Sequence, residues 1–254
     1  RDIIDLGMGN PNNPTPKHVV NKMISTIKNP KTHRYSISRG IEGLRKAQKE
    51  YYLRRFNVSL HKDKEIVVTL GSKEGLANLA SAITSKGDLV LVPNPSYPIH
   101  PYGFLIAGAN VKSIRMDNHE NFLKNLSQKL KLYKNKIKAI IINFPNNPTT
   151  NVVSLDFYKE LVDVCYKNEV WILSDLAYAE IYFDIPPPPS ILQIKKARNI
   201  AVEFTSMSKT FSMPGWRIGF ACGNSTLISA LSRIKSYLDY GAFTPIQVAA
   251  TAAL

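Results

Sequence analysis

The chain has 254 residues, 44% of them hydrophobic and 20% charged, and a formal net charge of +14. This is globular composition, with enough chain for a sizeable core in one large domain or two small ones, and no apolar run is long enough to cross a membrane. The basic charge does not point to nucleic acid, because the lysines fall in surface-type stretches such as KLKLYKNKIK (129–138) and no nucleic-acid motif accompanies them.

The chain opens with Arg1, and RDIIDLGMGNPNNP has neither the basic nor the apolar region of a secretory leader. Residues 1–16, rich in Gly, Asn and Pro, read as an extended arm. EIVVTL (65–70) then reads as a strand, KEGLANLASAIT (73–84) as a helix, and DLVLVP (88–93) as a strand. YPIHPYGFLIAGA (97–109) reads as a helix, KAIIINF (138–144) as a strand, and LDFYKELVDVCYKN (155–168) as a helix. EVWILSD (169–175), NIAVEFTS (199–206) and RIGFACG (217–223) are further strands, and STLISALSRIKSYLD (225–239) is helical. DIPPPPSI (184–191) must be a surface loop, since consecutive prolines exclude a helix or an inner strand. PIQVAATAAL at the end is an apolar helical pattern without a cap, so the chain reads as a piece of a longer protein. Alternating strands and helices predict an α/β fold with a mainly parallel sheet covered by helices. Cys165 and Cys222 share no metal or redox spacing, which favours a reducing compartment, and the five histidines form no ligand-spaced pair, which disfavours a metal site.

In open α/β sheets, ligands gather where strands end and loops begin. Four loops stand out. LGSKEG (70–75) offers Gly71 for a tight turn and the N–H groups of Ser72 and Lys73 at a helix start, suited to phosphate or to simple capping. PNPSYP (93–98) fixes Tyr97 between prolines, where it would stack on a planar ring or fill the core. NFPNNPTT (143–150) holds Asn147 before Pro148, either extended with a free amide or as an ordinary turn. LSDLAYAEIY (173–182) ends an apolar strand on Asp175, which is costly unless the carboxylate is paired or caps a turn.

Taken in order, Asn147-Pro148, Asp175-x-x-Tyr178, Ser206-x-Ser208-Lys209 and Arg217 resemble the fold type I pyridoxal-phosphate (PLP) enzymes of the class I/II aminotransferase family. The resemblance runs the whole length, through HRYSISRGIEGLRKA, GSKEGL, NPSYPIHPYG, NFPNNPT, SDLAYAEI, SMSKTFSMPGWRIGF and RIKSYLDYGAFTPIQVAA. Within the family it is nearest to bacterial glutamate–pyruvate (alanine) aminotransferases and their diaminopimelate and aspartate relatives. The resemblance implies a seven-stranded, mainly parallel sheet flanked by helices. Residues 18–254 would form the PLP-binding large domain, and residues 1–17 an arm and small-domain remnant.

It also implies roles. Lys209 would bond PLP covalently and act as the proton-shuttling base, chemistry suited to a lysine amine of lowered pKa. Asp175 would pair with the protonated ring nitrogen. Asn147 and Tyr178 would donate to the ring oxygen, Asn147 would also meet substrate, and Tyr97 would cover the ring. Ser72, Lys73, Ser206, Ser208 and Arg217 would hold the phosphate, Arg217 with its planar fork. Tyr35 would reach the phosphate of a neighbouring subunit, implying a homodimer. Gly9 would let the backbone approach the substrate carboxylate, where a side chain would crowd it. Arg39 and Tyr102 are candidate contributors to substrate choice.

The implied reaction moves an amino group between an L-amino acid, alanine or glutamate first, and a 2-oxo acid such as pyruvate or 2-oxoglutarate, in a ping-pong cycle. The expected setting is cytoplasmic, without metal, membrane or nucleic acid. The same cradle also serves lyases, decarboxylases and acyl-transfer synthases, and non-enzymatic PLP-sensing regulators. Ser206-x-x-Lys209 also matches the Ser-x-x-Lys of penicillin-binding proteins, but SDL (174–176) and KTF (209–211) are not their companion motifs. Two departures from the family stand out. Thr150 takes the place of a common Gly after NNPT. The second arginine, which clamps the substrate carboxylate, belongs to a C-terminal region that these 254 residues do not include, so this chain alone is expected not to transaminate.

Overall fold

The computed structural model describes residues 3–4, 7, 9–116, 118–134, 136–184 and 186–254. Parts of the arm, including Asp5, Leu6 and Met8 of DLGMGNP, and Ile185 of the proline loop, lie outside the described residues. The sheet contains β1 (Ile66–Thr69), β2 (Leu89–Asn94), β3 (Asn110–Arg115), β4 (Ile137–Asn143), β5 (Trp171–Asp175), β6 (Ala201–Ser206) and β7 (Gly219–Gly223). Their order is β1-β7-β6-β5-β4-β2-β3, and β7 alone runs antiparallel to its neighbours.

The inner strands are largely apolar on both faces because helices cover both. In β4, Ile140 and Ile142 face one core and Ala139 and Ile141 the other, as the two-residue period of a strand requires. The second core is closed by α3 (Ser72–Ile83), α4 (Ile99–Ile106) and α8 (Ser225–Leu238). The first lies under α2 (Glu42–Phe56), α5 (His119–Leu132) and α6 (Leu155–Lys167), with α1 (Lys17–Ile27) and α9 (Thr244–Ala253) beside them. α6 starts where Ser154 accepts the Phe157 N–H, and it buries Phe157, Leu161 and Cys165 on one stripe.

The predicted strands are all present, with ends shifted by one or two residues. The helix expected at 97–109 is shorter, at Ile99–Ile106. β3 carries no expected strand because NVKSIR is polar: at the sheet edge only Ile114 is buried, so nothing demands an apolar run. The proline loop is irregular, as expected, but it is not wholly surface: Pro188 and Ser190 are buried. Thr150 sits at φ +61°, in the left-handed region that favours the glycine it replaces.

Register fixes the site. Asn143 pairs level with Asp175, Asp175 with Phe204, and Ser206 with Gly219. The carboxyl ends of β4 and β5 therefore present Asn143 and Asp175 side by side, with Ser206 two residues further along β6 at the same edge of the sheet.

Candidate active site

Above that edge lies a cleft of about 870 Å³. It is lined by Gly9, Ser72, Lys73, Tyr97, Asn147, Asp175, Tyr178, Ser206, Ser208, Lys209 and Arg217, with Asn143 and Gly7. Every site residue expected from the sequence is brought together here except Tyr35, which lies outside the cleft lining and is 84% exposed. Tyr35 packs on Tyr240 with ring centroids 4.5 Å apart. Arg39 and Tyr102 do not line the cleft. Arg39 donates to the Asp63 carbonyl and lines a separate hollow of about 370 Å³ with Lys64 and Ser232, while Tyr102 is largely exposed on α4.

Asp175 is buried, and its two oxygens do different work. Oδ2 lies 2.9 Å from His100 Nε2, and Oδ1 accepts the Ala177 N–H at 3.3 Å. The carboxylate is thus both paired and capping a turn. His100 was not anticipated as a site residue. It is fully buried on α4, and its Nδ1 has no hydrogen-bond partner among the described residues. Its ring meets Tyr97 edge-on at 5.9 Å, so one histidine braces both the carboxylate and the covering aromatic. The signal was present only as HP inside YPIHPYG; nothing local ties it to a residue 75 positions on.

Asn143 is the second residue the sequence reading passed over. Its Nδ2 donates to the carbonyls of Asp175 (2.8 Å) and Pro145 (3.1 Å), and its Oδ1 accepts from the Asn147 N–H at 2.8 Å. This pins the 143–150 loop to the end of β5. The Asn147–Pro148 bond is cis. Asn147 Nδ2 then donates to the Tyr178 hydroxyl at 3.2 Å. Burial holds the Tyr178 hydroxyl above its ordinary pKa, against the Asn147 hydrogen bond, so at neutral pH it stays a donor.

The phosphate end is built from the turn at 70–72. Gly71 has φ +84°, and a Cβ there would run into the Arg217 guanidinium. Arg217 donates to the carbonyls of Pro214 (2.8 Å) and Leu70 (3.3 Å). Gly219 is equally constrained: a Cβ would lie 2.8 Å from the Thr205 oxygen and 3.0 Å from the Ser72 nitrogen. The first-turn N–H groups of α3, at Ser72 and Lys73, have no intrahelical acceptor by geometry. Ser206 Oγ accepts the Ser208 N–H at 3.2 Å, opening the short helix α7 (Met207–Thr210) that displays Lys209. Lys209 Nζ donates to the Gly9 carbonyl. A Cβ on Gly9 would meet nothing within 4 Å, so the crowding expected there does not come from the chain itself. Lys73 Nζ lies 5.1 Å from the centre of the Tyr97 ring.

These groups fit an aromatic phosphate. Among the described lining residues three cations, Lys73, Lys209 and Arg217, face one carboxylate. Helix N–H groups and hydroxyls sit at one end, and a buried carboxylate and amide at the other. No group of three His, Cys, Asp or Glu among the described residues is placed to hold a metal ion, and no described helix is long and apolar enough to cross a membrane.

Comparison with known proteins agrees with this geometry. AlaC of Escherichia coli, a glutamate-pyruvate aminotransferase, is 50% identical over all of this chain and 61% of its own length. AatC of Rhizobium meliloti, which carries an aminotransferase name, is 58% identical over all of this chain and 62% of its own. An LL-diaminopimelate aminotransferase of Natranaerobius thermophilus is 42% identical over all of this chain and 66% of its own. The chain thus spans about three fifths to two thirds of these relatives. Apo-BacF from Bacillus subtilis superposes with a TM-score of 0.94 at 34% identity, covering all of this chain and 67% of BacF. The family model for class I and II aminotransferases matches residues 1–254. The chain belongs to that family, whose members depend on PLP.

Proposed function

We propose that the full-length protein is a PLP-dependent aminotransferase and that this chain supplies its large, cofactor-binding domain, with residues 1–17 as the arm. The observation that carries the reading is the convergence in one cleft of Asn147, Asp175, Tyr178, Lys209 and Arg217, which come from three separate connections, those after β4, β5 and β6. Bound PLP supplies an electron-poor ring that takes up the electron pair left when a substrate loses its α-proton. The chain's own residues do the rest. Lys209 Nζ would be the base that takes that proton from the substrate carbon. Asp175, backed by His100, holds positive charge on the ring nitrogen. Asn147 and Tyr178 orient the ring oxygen, and Tyr97 covers the ring. Ser72, Lys73, Ser206, Ser208 and Arg217 hold the phosphate.

Alanine or glutamate is the preferred amino donor, with pyruvate or 2-oxoglutarate as acceptor; the 50% identity to AlaC supports this. LL-diaminopimelate is the next donor to test, given the 42% relative. The working form is a homodimer. Tyr35, Ile37, Tyr237, Leu238 and Tyr240 form an exposed apolar face of the kind that a second copy covers, and Tyr35 would serve the neighbouring site. Two buried, unpaired cysteines suit a reducing cytoplasm. Purified full-length protein with PLP should transfer nitrogen from L-alanine to 2-oxoglutarate. Release of ammonia or carbon dioxide instead would move it to the lyases or decarboxylases.

A further inference from the structure

Lys235 is the one lysine among the described residues that is fully buried, and it lies outside the cleft lining. A buried ammonium persists only when paired. Its Nζ lies 3.0 Å from Glu74 Oε1 and 2.9 Å from Asp239 Oδ2. The two carboxylates belong to different parts of the molecule.

Glu74 stands in the first turn of α3, directly after Ser72 and Lys73. Its Oε2 accepts the Leu70 N–H at 2.8 Å, closing the turn on which Gly71 and Arg217 meet. Asp239 follows α8. Its Oδ1 accepts the Gly241 N–H at 2.6 Å, and its carbonyl accepts from Ser38 Oγ at 2.9 Å. That holds together residues 35–38 and 239–241, where Tyr35 rests on Tyr240.

We propose that Lys235 is a positioning residue that locks the phosphate-binding turn at 70–74 to the segment carrying Tyr240 and Tyr35. The inference rests on the PLP reading. Its electrostatic side is simple. A lone carboxylate in the first turn of α3 would oppose a phosphate dianion at the same helix start. Lys235 offsets part of that charge and, with the Asn78 amide on the same oxygen, keeps Glu74 turned towards Leu70. Removing Lys235 takes the cation from two carboxylates, leaving Glu74 only the Leu70 N–H and the Asn78 amide at the helix start that would hold the phosphate.

The test uses full-length apoprotein and compares binding of PLP, pyridoxal and inorganic phosphate. Lys235→Met should weaken PLP and phosphate by about tenfold, while pyridoxal, which lacks phosphate, is unchanged. Adding Glu74→Gln to Lys235→Met should restore most of the PLP affinity, because no unpaired charge then remains at the helix start. If Lys235→Met does not fold, Asp239→Asn, at a partly exposed position, cuts one arm of the bridge and should weaken PLP by about threefold. Equal losses for PLP and pyridoxal, no loss at all, or no recovery in the double variant would overturn the assignment. A wild-type protein that binds no PLP would overturn the cofactor reading instead, and is distinguishable from these.

Discussion

His100 Nε2 lies 2.9 Å from Asp175 Oδ2, with both groups buried, so the carboxylate proposed to face the cofactor nitrogen is held from behind by an imidazole. A hydrogen bond to a charged group is worth about 1.5–3 kcal/mol. His100→Phe should therefore loosen PLP by roughly tenfold or more, measured by titrating apoprotein. His100→Gln, which keeps a donor, should lose less. Equal losses in the two variants would assign His100 to packing alone.

Glu203 predicts a pH effect on stability. It is fully buried on β6 and accepts from Tyr52, Ser174, Ser190 and the Ile191 N–H. Burial raises its pKa from 4.5 to about 7, against those hydrogen bonds. Between these values the folded chain keeps the proton and the unfolded chain loses it. Stability from this group is therefore full below pH 4.5 and is lost as pH rises to about 7, by something on the order of 3 kcal/mol. Glu203→Gln should abolish that component. Urea midpoints of both proteins from pH 4.5 to 8 give the difference directly; parallel curves would contradict it.

Thr150 holds a β-branched side chain at φ +61°. Thr150→Gly should stabilise the fold by about 1 kcal/mol, since relief of left-handed strain outweighs the added unfolded-chain entropy. A fall in thermal midpoint would show that the Thr150 side chain contributes more than its backbone costs.

Gly71→Ala should do the opposite. It combines a positive φ with a clash at Arg217. A loss of about 1–3 kcal/mol is expected, with weaker phosphate binding. Unchanged phosphate affinity would separate Arg217 from the cradle.

The α/β architecture was legible because Ile140, Ile142, Leu173 and Val202 lie in strands buried on both faces, which need continuous apolar runs. β3 was not legible, because an edge strand with one buried residue carries no such run. Asp175 stood out as a carboxylate ending an apolar strand. His100, Glu203 and Lys235 did not: each is defined by partners that approach from distant elements. In SRIKSYL, Lys235 looks like any surface lysine until Glu74 reaches it from α3.

The most direct measurement is the visible absorption of full-length protein mixed with PLP, beside its Lys209→Ala variant. The wild type should show a protein-bound PLP band that is lost on adding stoichiometric L-alanine, with release of one equivalent of pyruvate. The variant should show neither the band nor the release. A variant that keeps both would contradict the assignment of Lys209, and with it the proposed function.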